Sequence, residues 1–507
     1  MTDAAWSGRR VTVMGLGLFG GGAGAARWAL ARGAEVTVTD LRDAEILRES
    51  VEALERAPGA ERLRFALGGH VESDFADADV VVANPGVRPD ARWLRGARDG
   101  GAVVTTATRL LLESLRARVV AITGTNGKSS TARFTRDLVA ASLPESARVE
   151  LGGNIGGSLL DRADDLGPGD AVVLELSSYQ LEHLAATASA RPAARADVVA
   201  ITNVGVDHLD RHGTLDAYRD AKLSILDLLG GAGGTAIVPA GDLEARANAR
   251  LGRPCIAHGA GGDVALDADG RVIGDARSAA PMVLGNAAEL GVPGAFQRKN
   301  LAVALAVVRA LGRTLDDLDL DRAGAAIADL SGLPHRLESL GVFHLPRAGR
   351  AVEIVDNGVS TTPESTLVAL DAVTAEHPKG AGGLLVAGGR AKAGQDAAAL
   401  TSRITEAGWT LVPFGDAAED LAVRARASGA GVVGGGPDGW PRTVEEAADA
   451  ALRAAERSDV PVVLFSPACA SFDGYPNFEA RARAFRGAIR GYAERHAAGR
   501  NGPDRTN

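Results

Sequence analysis

A short glycine loop that ends in a lysine and a serine is the pattern that most directly indicates chemistry. The stretch TGTNGKSS, residues 123–130, follows an apolar run and precedes a helix-forming segment. The backbone N–H groups of residues 125–127 can form a nest for phosphate oxygens, Lys128 can reach a terminal phosphate, and Ser129 can offer its hydroxyl to magnesium. The usual loop reads G-x-x-x-x-G-K-[ST], so this one is shortened. It is predicted to bind a nucleoside triphosphate.

Oxygen and imidazole ligands for a cation follow the next two apolar runs. Glu175 stands in VLELSSYQ, and Asp207 with His208 stands in NVGVDHLDRHG. Open α/β sheets bind their ligands at the carboxyl ends of the strands, and magnesium prefers oxygen ligands. A carboxylate on an otherwise apolar strand is unfavourable unless it is paired or binds a metal. Glu175 and His208 are therefore predicted metal ligands, although a structural histidine is the plain alternative for His208.

A second glycine turn lies close to the N-terminus. The sequence GLGLFG spans Gly15–Gly20, and Asp40 follows its last glycine at the spacing typical of a dinucleotide fingerprint. The turn indicates a nucleotide that carries a diphosphate, and nicotinamide is not implied. Close packing of a helix on a strand is the alternative explanation for these glycines.

Lysine is rare in this chain, which uses arginine for most of its basic residues. Of the 55 basic residues, only those at positions 128, 222, 299, 379 and 392 are lysines. Lys222 stands in the helix-forming segment YRDAK, where a solvated helix face is the plain interpretation. A lysine in such a chain is nevertheless a candidate for a site at which arginine fails.

The elements that must position these residues alternate between apolar strands and amphipathic helices. The strands RVTVMGLG and EVTVTD frame one βαβ unit, and AVVLELSS and ADVVAITNVG belong to a second α/β segment. A long helix is predicted from near Asn300, and four buried strands follow residue 350. We expect three consecutive α/β domains: a Rossmann-like domain over 1–106, a P-loop ATPase-like domain over 107–332 and a Rossmann-like domain over 333–507.

Composition and charge narrow the class of partner. The chain has 507 residues, is 46% apolar and carries a net charge of −9. A nucleic-acid or membrane-surface partner requires a basic face, so small molecules are the expected partners and no membrane insertion is predicted. Two distant cysteines, Cys255 and Cys469, form no disulfide framework, which favours a cytoplasmic setting. A monomer is expected.

Seven motifs together carry a family resemblance. In chain order they are AITGTNGKSS, GGNIG, LELSSYQLE, NVGVDHLDRHG, YRDAK, SGLPHRLE and SPACASFDGYPNFEARARAF. They closely resemble the Mur ligases, and among these the members that add glutamate to a peptidoglycan precursor. The likeness extends from residue 15 to about residue 485, and the compact phosphate loop is itself typical of the family.

The resemblance implies a role for each matching residue. It implies that ATP contacts Gly124, Thr125, Asn126, Gly127, Lys128, Ser129, Asn300, Arg336 and Asp356. It implies that magnesium is held by Ser129, Glu175, His208 and Lys222, with Lys222 carbamylated, and that Lys128, His208 and Lys222 are catalytic. It implies that the nucleotide-sugar substrate and glutamate contact Gly15, Gly17, Leu18, Asp40, Arg42, Asn84, Gly86, Asn154, Ser177, Gln180, Lys392, Ser471 and Phe478.

The implied reaction transfers the γ-phosphoryl group of ATP to the carboxylate of an alanyl substrate. The amine of glutamate then attacks the acyl phosphate, and ADP and phosphate leave. Such chemistry depends on positioning and on charge neutralisation. Closure of the C-terminal domain is expected to exclude water from the acyl phosphate.

The sequence departs from the family pattern in two blocks. DNGVSTTPE stands where D-S-K-A-T-N is usual, so Gly358 occupies a lysine position. In GAFQRKN, Phe296 and Gln297 replace the histidine and the first asparagine of G-x-H-N-x-x-N, and Asn300 is retained. The first departure concerns the glutamate pocket and leaves D-glutamate, L-glutamate or another amino acid open. The second, at Phe296 and Gln297, concerns the nucleotide site. An NAD-dependent oxidoreductase and a nucleotide-binding regulator without catalysis are the remaining alternatives.

Overall fold

The structure is a computed structural model, and it divides the chain into two units. The residues it describes are 6–17, 20–186, 195–205, 207–230, 233–292, 294–315, 317–345, 348–377, 380–391, 395–436, 439–471 and 474–497. The first unit comprises residues 1–290 with 298–330, and the second comprises 291–297 with 331–507. The break after Leu330 lies two residues from the boundary expected at 332/333. The boundary expected at 106/107 falls inside the first unit.

The first sheet of the first unit is parallel and has the strand order β3-β2-β1-β4-β5. Its strands are β1 Arg10–Met14, β2 Glu35–Asp40, β3 Leu63–Leu67, β4 Val80–Ala83 and β5 Val103–Thr105. The helices that follow them are α1 Gly21–Ala31, α2 Arg48–Glu55, α3 Ser73–Ala76, α4 Arg92–Asp99 and α5 Ala107–Ser114. The glycine turn therefore joins β1 to α1, as its sequence predicts.

The second sheet is also parallel, with the order β11-β10-β9-β6-β8-β7. Its strands are β6 Arg118–Thr123, β7 Val149–Gly153, β8 Ala171–Glu175, β9 Val198–Ile201, β10 Thr235–Pro239 and β11 Ile256–His258. Its helices are α6 Lys128–Ser142, α7 Ser178–Ala186, α8 Leu209–His212, α9 Leu215–Leu223 and α10 Asp242–Leu251. The helix-forming segment YRDAK lies in α9, and a 3-10 segment continues that helix over Ser224–Leu228.

A small antiparallel sheet follows that the sequence patterns do not predict. It consists of β12 Ala265–Leu266, β13 Arg271–Gly274 and β14 Met282–Asn286, after which come α11 Ala295–Leu311 and α12 Leu320–Ala325. These strands are short and only partly buried, so their apolar alternation is weak. Helix α11 begins five residues before the start expected near Asn300.

The second unit has one six-stranded sheet with the order β15-β16-β20-β17-β18-β19. Its strands are β15 Glu338–His344, β16 Ala351–Asp356, β17 Leu384–Gly388, β18 Thr410–Phe414, β19 Gly431–Val432 and β20 Val462–Ala468. Its helices are α13 Pro363–Glu376, α14 Ala398–Glu406, α15 Ala418–Ala427, α16 Val444–Arg457 and α17 Phe478–Ala497. The four predicted strands are the parallel ones β16, β17, β18 and β20, whereas antiparallel β15 and two-residue β19 were missed.

Continuous burial explains why the central strands read as apolar runs. Strand β8 is buried along its whole length, and β6 is buried from its second residue onward. A parallel sheet covered by helices on both faces requires this pattern. The predicted α/β class is confirmed, and the described residues form four sheets, of which the small antiparallel one lies within 107–332. Among the described helices, none combines the length and apolarity that crossing a membrane requires.

Candidate active site

The phosphate loop joins the end of β6 to the start of α6. At two positions in this loop, the backbone conformation and the close neighbours leave room only for glycine. Gly127 has φ 77° and precedes the helix, and a Cβ there would lie 2.2 Å from Asn300 Oδ1. A Cβ on Gly124 would lie 2.0 Å from Thr202 Oγ1. The loop therefore packs tightly against Asn300 and against the segment that follows β9. The N-terminus of a fifteen-residue helix stands at Lys128 and Ser129, where backbone N–H groups favour an anion.

Hydrogen bonds from the segment after β9 brace the loop. Asn203 accepts from the N–H groups of Thr125 and Asn126, at 2.9 and 3.0 Å. Thr202 Oγ1 donates to the carbonyl of Asn126 at 2.6 Å, and Lys128 Nζ donates to the carbonyl of Thr125 at 2.9 Å. Two of the three N–H groups expected to form the phosphate nest are thus engaged within the protein in this arrangement.

Glu175 ends β8 with one carboxylate oxygen bonded and the other open. The residue is 1% exposed. Its Oε1 accepts from Asn154 Nδ2 at 3.0 Å, while Oε2 is buried with no hydrogen-bond partner among the described residues. A buried carboxylate oxygen without a donor is unfavourable unless a cation binds it. This donor set fits a magnesium ion, which prefers oxygen ligands.

Lys222 is the most unusual ionisable group near the loop. Its side chain is 1% exposed on α9, and Nζ lies 3.3 Å from Thr123 Oγ1, at the end of β6. Burial, and then the positive charge of Lys128, lowers the pKa of Lys222 to about 7, against the opposing effect of the Asp207 and Glu175 carboxylates. A large fraction of this amine is therefore neutral and nucleophilic near neutral pH.

Tyr218 links Lys222 to His208. Its ring centroid lies 5.2 Å from Lys222 Nζ and 6.2 Å from the imidazole of His208, and its hydroxyl is 3.1 Å from Thr125 Oγ1. Burial raises the pKa of Tyr218, so the hydroxyl stays protonated. The phosphate loop, the buried lysine and His208 thus lie together at the carboxyl ends of the central strands of the second sheet.

His208 is held at the start of α8 with a left-handed backbone. It has φ 49°, which is uncommon for a residue with a side chain. Its Nε2 lies 3.4 Å from Asp207 Oδ2, and its Nδ1 lies 3.3 Å from the hydroxyl of Tyr179. The residue is exposed, so its imidazole is accessible for ligation.

A cavity of about 100 Å³ brings together residues from both sheets of the first unit. The predicted substrate residues Gly15, Asn84 and Gln180 line it. A Cβ on Gly15 would lie 2.7 Å from Asn84 Cβ, so the glycine permits this approach. Gln180 Oε1 accepts from the N–H of Ser177 at 2.9 Å, and Nε2 donates to Thr108 Oγ1 at 3.2 Å.

The carboxylate of Asp40 accepts hydrogen bonds from two backbone N–H groups, one of them in the glycine turn near the N-terminus. Its Oδ2 accepts from the N–H of Gly17 at 3.2 Å, and its Oδ1 accepts from the N–H of Arg42 at 3.0 Å. Asp40 is buried, whereas Arg42 is exposed. Gly86 donates its N–H to Asn84 Oδ1 at 2.9 Å. Leu18, also predicted to contact substrate, lies outside the described residues.

The predicted site residues of the second unit differ in accessibility. Ser471 is buried at the end of the segment after β20, and Phe478 begins α17. Arg336 is half-buried, and Asp356 is 0% exposed. Lys392 lies outside the described residues.

Both departures from the family pattern have a packing explanation. A Cβ on Gly358 would lie 2.6 Å from Ala482 Cβ and 3.1 Å from a ring carbon of Phe465, so no side chain fits without a shift. Phe296 packs against the apolar core of the second unit, and Gln297 is fully buried. The changed residues therefore serve the interior of this unit.

Sequence reasoning missed several residues that complete the site. Thr123, Tyr179, Asn203 and Tyr218 all contact a predicted residue. Tyr179 and Tyr218 stand inside the motifs LELSSYQLE and YRDAK, which is the only sequence signal for them. Thr123 and Asn203 likewise stand inside AITGTNGKSS and NVGVDHLDRHG, but these motifs do not indicate their contacts, which join residues 99 and 77 positions apart.

Family models match two parts of the chain. Residues 9–106 match the model described as Mur ligase MurD-like, N-terminal domain, and residues 122–308 match the one described as Mur ligase middle domain. The two ranges lie within the first two predicted segments, 1–106 and 107–332.

Named relatives match nearly the whole chain. UDP-N-acetylmuramoylalanine--D-glutamate ligase of Roseiflexus sp. (strain RS-1) is 31% identical over 515 residues, covering 96% of this chain and 99% of that protein. The ligase of the same name from Geobacter metallireducens is 32% identical, with 95% and 97% covered. That of Caulobacter vibrioides strain NA1000 is 33% identical, with 95% and 96% covered.

Solved structures share the fold at lower identity. The UDP-N-acetylmuramate-alanine ligase MurC of Thermotoga maritima has a TM-score of 0.55 at 17% identity, covering 97% of this chain and 100% of that one. MurF of Acinetobacter baumannii has a TM-score of 0.58 at 16% identity, with 94% and 93% covered. The likeness of fold thus extends over nearly the full length of both chains.

Proposed function

The chain belongs to the Mur ligase family, and on that premise we propose that it joins D-glutamate to UDP-N-acetylmuramoyl-L-alanine in peptidoglycan precursor synthesis. ATP is consumed through an acyl phosphate, and ADP and phosphate are released. The observation that carries the proposal is the meeting of the phosphate loop with Lys222, whose Nζ lies 3.3 Å from the last residue of β6. An ATP site and a buried neutral amine at one sheet edge suit this chemistry.

The residues of the phosphate loop hold ATP. Residues 124–129 surround the start of α6, Asn300 packs on Gly127, and Lys128 provides the compact ammonium that faces phosphate oxygens. Ser129, Glu175 and His208, together with modified Lys222, hold magnesium. Bound magnesium supplies charge neutralisation on the phosphates. The open Oε2 of Glu175 supports its part in this set.

Carbamylation of Lys222 is part of the proposal. Carbon dioxide reacts with a neutral amine, and the lowered pKa of Lys222 leaves a large neutral fraction near pH 7. The product is an anionic carbamate that offers two oxygens to a cation in a buried position. Arginine cannot take this role, because its guanidinium stays protonated.

The nucleotide-sugar substrate lies along the first unit. Gly15, Gly17, Leu18, Asp40, Arg42, Asn84 and Gly86 hold the uridine diphosphate part. Asn154, Ser177 and Gln180 hold the muramoyl part. The cavity lined by Gly15, Asn84 and Gln180 supports this assignment, since it joins both groups of residues.

The second unit contributes the remaining contacts. Arg336 and Asp356 serve the nucleotide, and Lys392, Ser471 and Phe478 serve the incoming amino acid. The three domains 1–106, 107–332 and 333–507 then bind in turn the UDP-linked substrate, ATP with magnesium, and the amino acid. We place the protein in the cytoplasm as a monomer.

The protein's own groups position each step of the reaction. The alanyl carboxylate attacks the γ-phosphorus of ATP, and ADP leaves. The amine of glutamate attacks the resulting acyl phosphate, and inorganic phosphate leaves with the bonding electrons of the C–O bond. Lys128 and the helix N-terminus stabilise charge that develops on the phosphoryl oxygens.

The identity of the incoming amino acid is the part of the proposal to which the departures from the family pattern are relevant. The names of the relatives favour D-glutamate. Gly358 stands at a position where the family usually has a lysine, so L-glutamate and other amino acids remain alternatives.

A phosphate-release assay tests class and specificity together. Purified protein receives ATP, magnesium and UDP-N-acetylmuramoyl-L-alanine with D-glutamate, L-glutamate or one of a panel of amino acids. We expect release with D-glutamate and a product of the corresponding mass. Release with L-glutamate alone would reassign the amino acid, and background release throughout would refute the ligase. ATP binding without any turnover would instead support a regulator.

A further inference from the structure

A strained turn carries Arg336 in the second unit. His335 has φ 62° and Leu337 has φ 47°, so left-handed residues with side chains flank Arg336 on both sides. This backbone conformation disfavours residues other than glycine, and it persists only where surrounding contacts determine it. Two such residues within three positions indicate a turn that the fold holds in place.

The side chains on either side of Arg336 are more buried than Arg336 itself. His335 and Leu337 are buried, whereas Arg336 between them is half-buried. Leu337 joins the apolar core of the unit. Buried residues therefore fix the turn on both sides of Arg336.

Carboxylates hold the His335 side of the turn. The N–H of His335 donates to Glu338 Oε2 at 2.8 Å, and its carbonyl accepts from the N–H of Val359 at 3.1 Å. His335 Nδ1 lies 2.7 Å from Asp356 Oδ2. The side chain and both backbone groups of His335 are thus bonded.

Arg486 neutralises these carboxylates. Its Nε donates to Asp356 Oδ2 at 2.6 Å and its Nη1 donates to Glu338 Oε1 at 3.2 Å. The ligand atoms of His335, Glu338 and Asp356 lie close enough to hold a metal ion. The guanidinium already supplies the positive charge there, so the cluster serves the turn.

Asn357 holds the Leu337 side. Its Oδ1 accepts from the N–H of Leu337 at 3.2 Å, and its Nδ2 donates to Ser466 Oγ at 3.0 Å. Ser466 is fully buried in β20 and donates to Thr366 Oγ1 at 2.9 Å. One amide thus ties the strained residue beside Arg336 to the centre of the sheet.

We propose that Asn357 is a positioning residue for Arg336. The inference rests on the proposed function, in which Arg336 contacts the nucleotide. Asn357 stands in the block that departs from the family pattern, so this chain has its own means of fixing the turn. Its amide acts on ATP only through Arg336.

A double-mutant cycle tests the proposal. The variants are Asn357→Ala, Arg336→Ala and both together, with Asn357→Asp as the conservative variant. Asn357→Ala is expected to raise the KM for ATP about tenfold and to lower kcat less, since ground-state binding of the nucleotide is affected. In the double variant the loss should equal that of Arg336→Ala alone, because the amide acts through that arginine. Asn357→Asp should recover part of the affinity, since its carboxylate still accepts from Leu337 but no longer donates to Ser466.

Thr443→Ala is the matched control. It removes a side-chain hydrogen bond to a backbone N–H at the start of α16 in the same unit, and the KM for ATP should stay unchanged. If Asn357→Ala does not fold, Ser466→Ala replaces it in the double-mutant cycle. Of the two side-chain hydrogen bonds of Asn357, that variant removes only the one from Nδ2, so it is the milder change. Binding of a non-hydrolysable ATP analogue, measured by calorimetry, repeats the comparison without turnover.

The outcomes separate this proposal from the proposed function. A folded Asn357→Ala or Ser466→Ala protein with unchanged KM and analogue affinity would overturn the positioning role. Effects that add to those of Arg336→Ala would overturn it equally. Absence of ligation by the unaltered protein would refute the function, while the calorimetric cycle would still decide the role of Asn357.

Discussion

The ammonium nitrogen of Lys222 lies 3.3 Å from the hydroxyl of Thr123, which ends the strand that leads into the phosphate loop. These residues are 99 positions apart in the chain. The contact is buried, and the nearby charge of Lys128 disfavours a second cation. Helix α9 therefore places an easily neutralised amine at the carboxyl end of this strand. ATP is expected to bind at the same end of the sheet.

Replacement of Lys222 should abolish ligation. Lys222→Ala removes the amine and Lys222→Arg cannot be carbamylated, so both are expected to lose activity at least about a hundredfold. Short carboxylic acids should partly restore Lys222→Ala by replacing the carbamate. Phosphate release measures each case. Arg219→Ala removes a cation from the same helix, where it pairs with Asp216 at the surface, and should stay active. A fully active Lys222→Arg enzyme would rule out the carbamate.

Carbamate formation should depend on pH. The pKa of Lys222 is lowered to about 7, so the reactive neutral fraction rises as pH increases through that value. With ¹³C-bicarbonate, a carbamate carbonyl signal is expected to grow between about pH 6 and about pH 8, where a group of this pKa titrates. Lys222→Ala should lack the signal. A signal of equal size in that variant would assign the carbamate to another amine.

The same pKa shift predicts a pH dependence of stability. The native amine binds fewer protons than the unfolded one between pH 7 and the ordinary value of 10.5. The free energy of unfolding therefore rises with pH across this window, relative to Lys222→Met. Chemical denaturation of both proteins at several pH values measures the difference. A difference that is constant or falls with pH would contradict the lowered pKa.

Neutralising Glu175 should separate activity from stability. Glu175→Gln keeps an oxygen for Asn154 but removes the charge on the open, buried Oε2. We expect an unchanged or higher unfolding temperature, and an activity loss of about a hundredfold that more magnesium partly reverses. Glu150→Gln makes the same change on β7, where the carboxylate pairs with Arg162, and should leave activity unchanged. Full activity at ordinary magnesium in Glu175→Gln would exclude it as a ligand.

A side chain at position 358 should destabilise the second unit. The Cβ of Gly358→Ala would lie 2.6 Å from Ala482 Cβ, so the free energy of unfolding should fall by about 1–3 kcal/mol, and Gly358→Lys should be at least as harmful. Adding Ala482→Gly should recover part of the loss, which denaturant titration measures. Gly487 lies on α17, the helix that carries Ala482, and a Cβ there would meet nothing within 4 Å. Gly487→Ala should therefore leave the free energy of unfolding undiminished. An unaffected Gly358→Ala protein would show that the helix shifts freely.

Local spacing in the sequence is the basis for most of the predicted chemistry. The glycine, lysine and serine of residues 124–129 lie on consecutive positions, so their pattern alone indicates a phosphate loop. Glu175 is a candidate because a carboxylate on a buried strand is unusual, and Lys222 is a candidate because lysine is rare here and this one stands in a family motif. The parallel strands were recognisable since their apolar runs reflect burial on both faces.

Tertiary structure alone decided the contacts between distant segments. Arg486 reaches Asp356 across 130 positions, Asn357 reaches Ser466 across 109, and Gly358 meets Ala482. The edge strand β15 and the small antiparallel sheet also escaped prediction, because partly exposed strands show little apolar alternation. A motif records which residue types stand near one another along the chain. Which side chains meet across a sheet depends instead on how helices and strands from separate segments pack, and short sequence patterns do not contain that information.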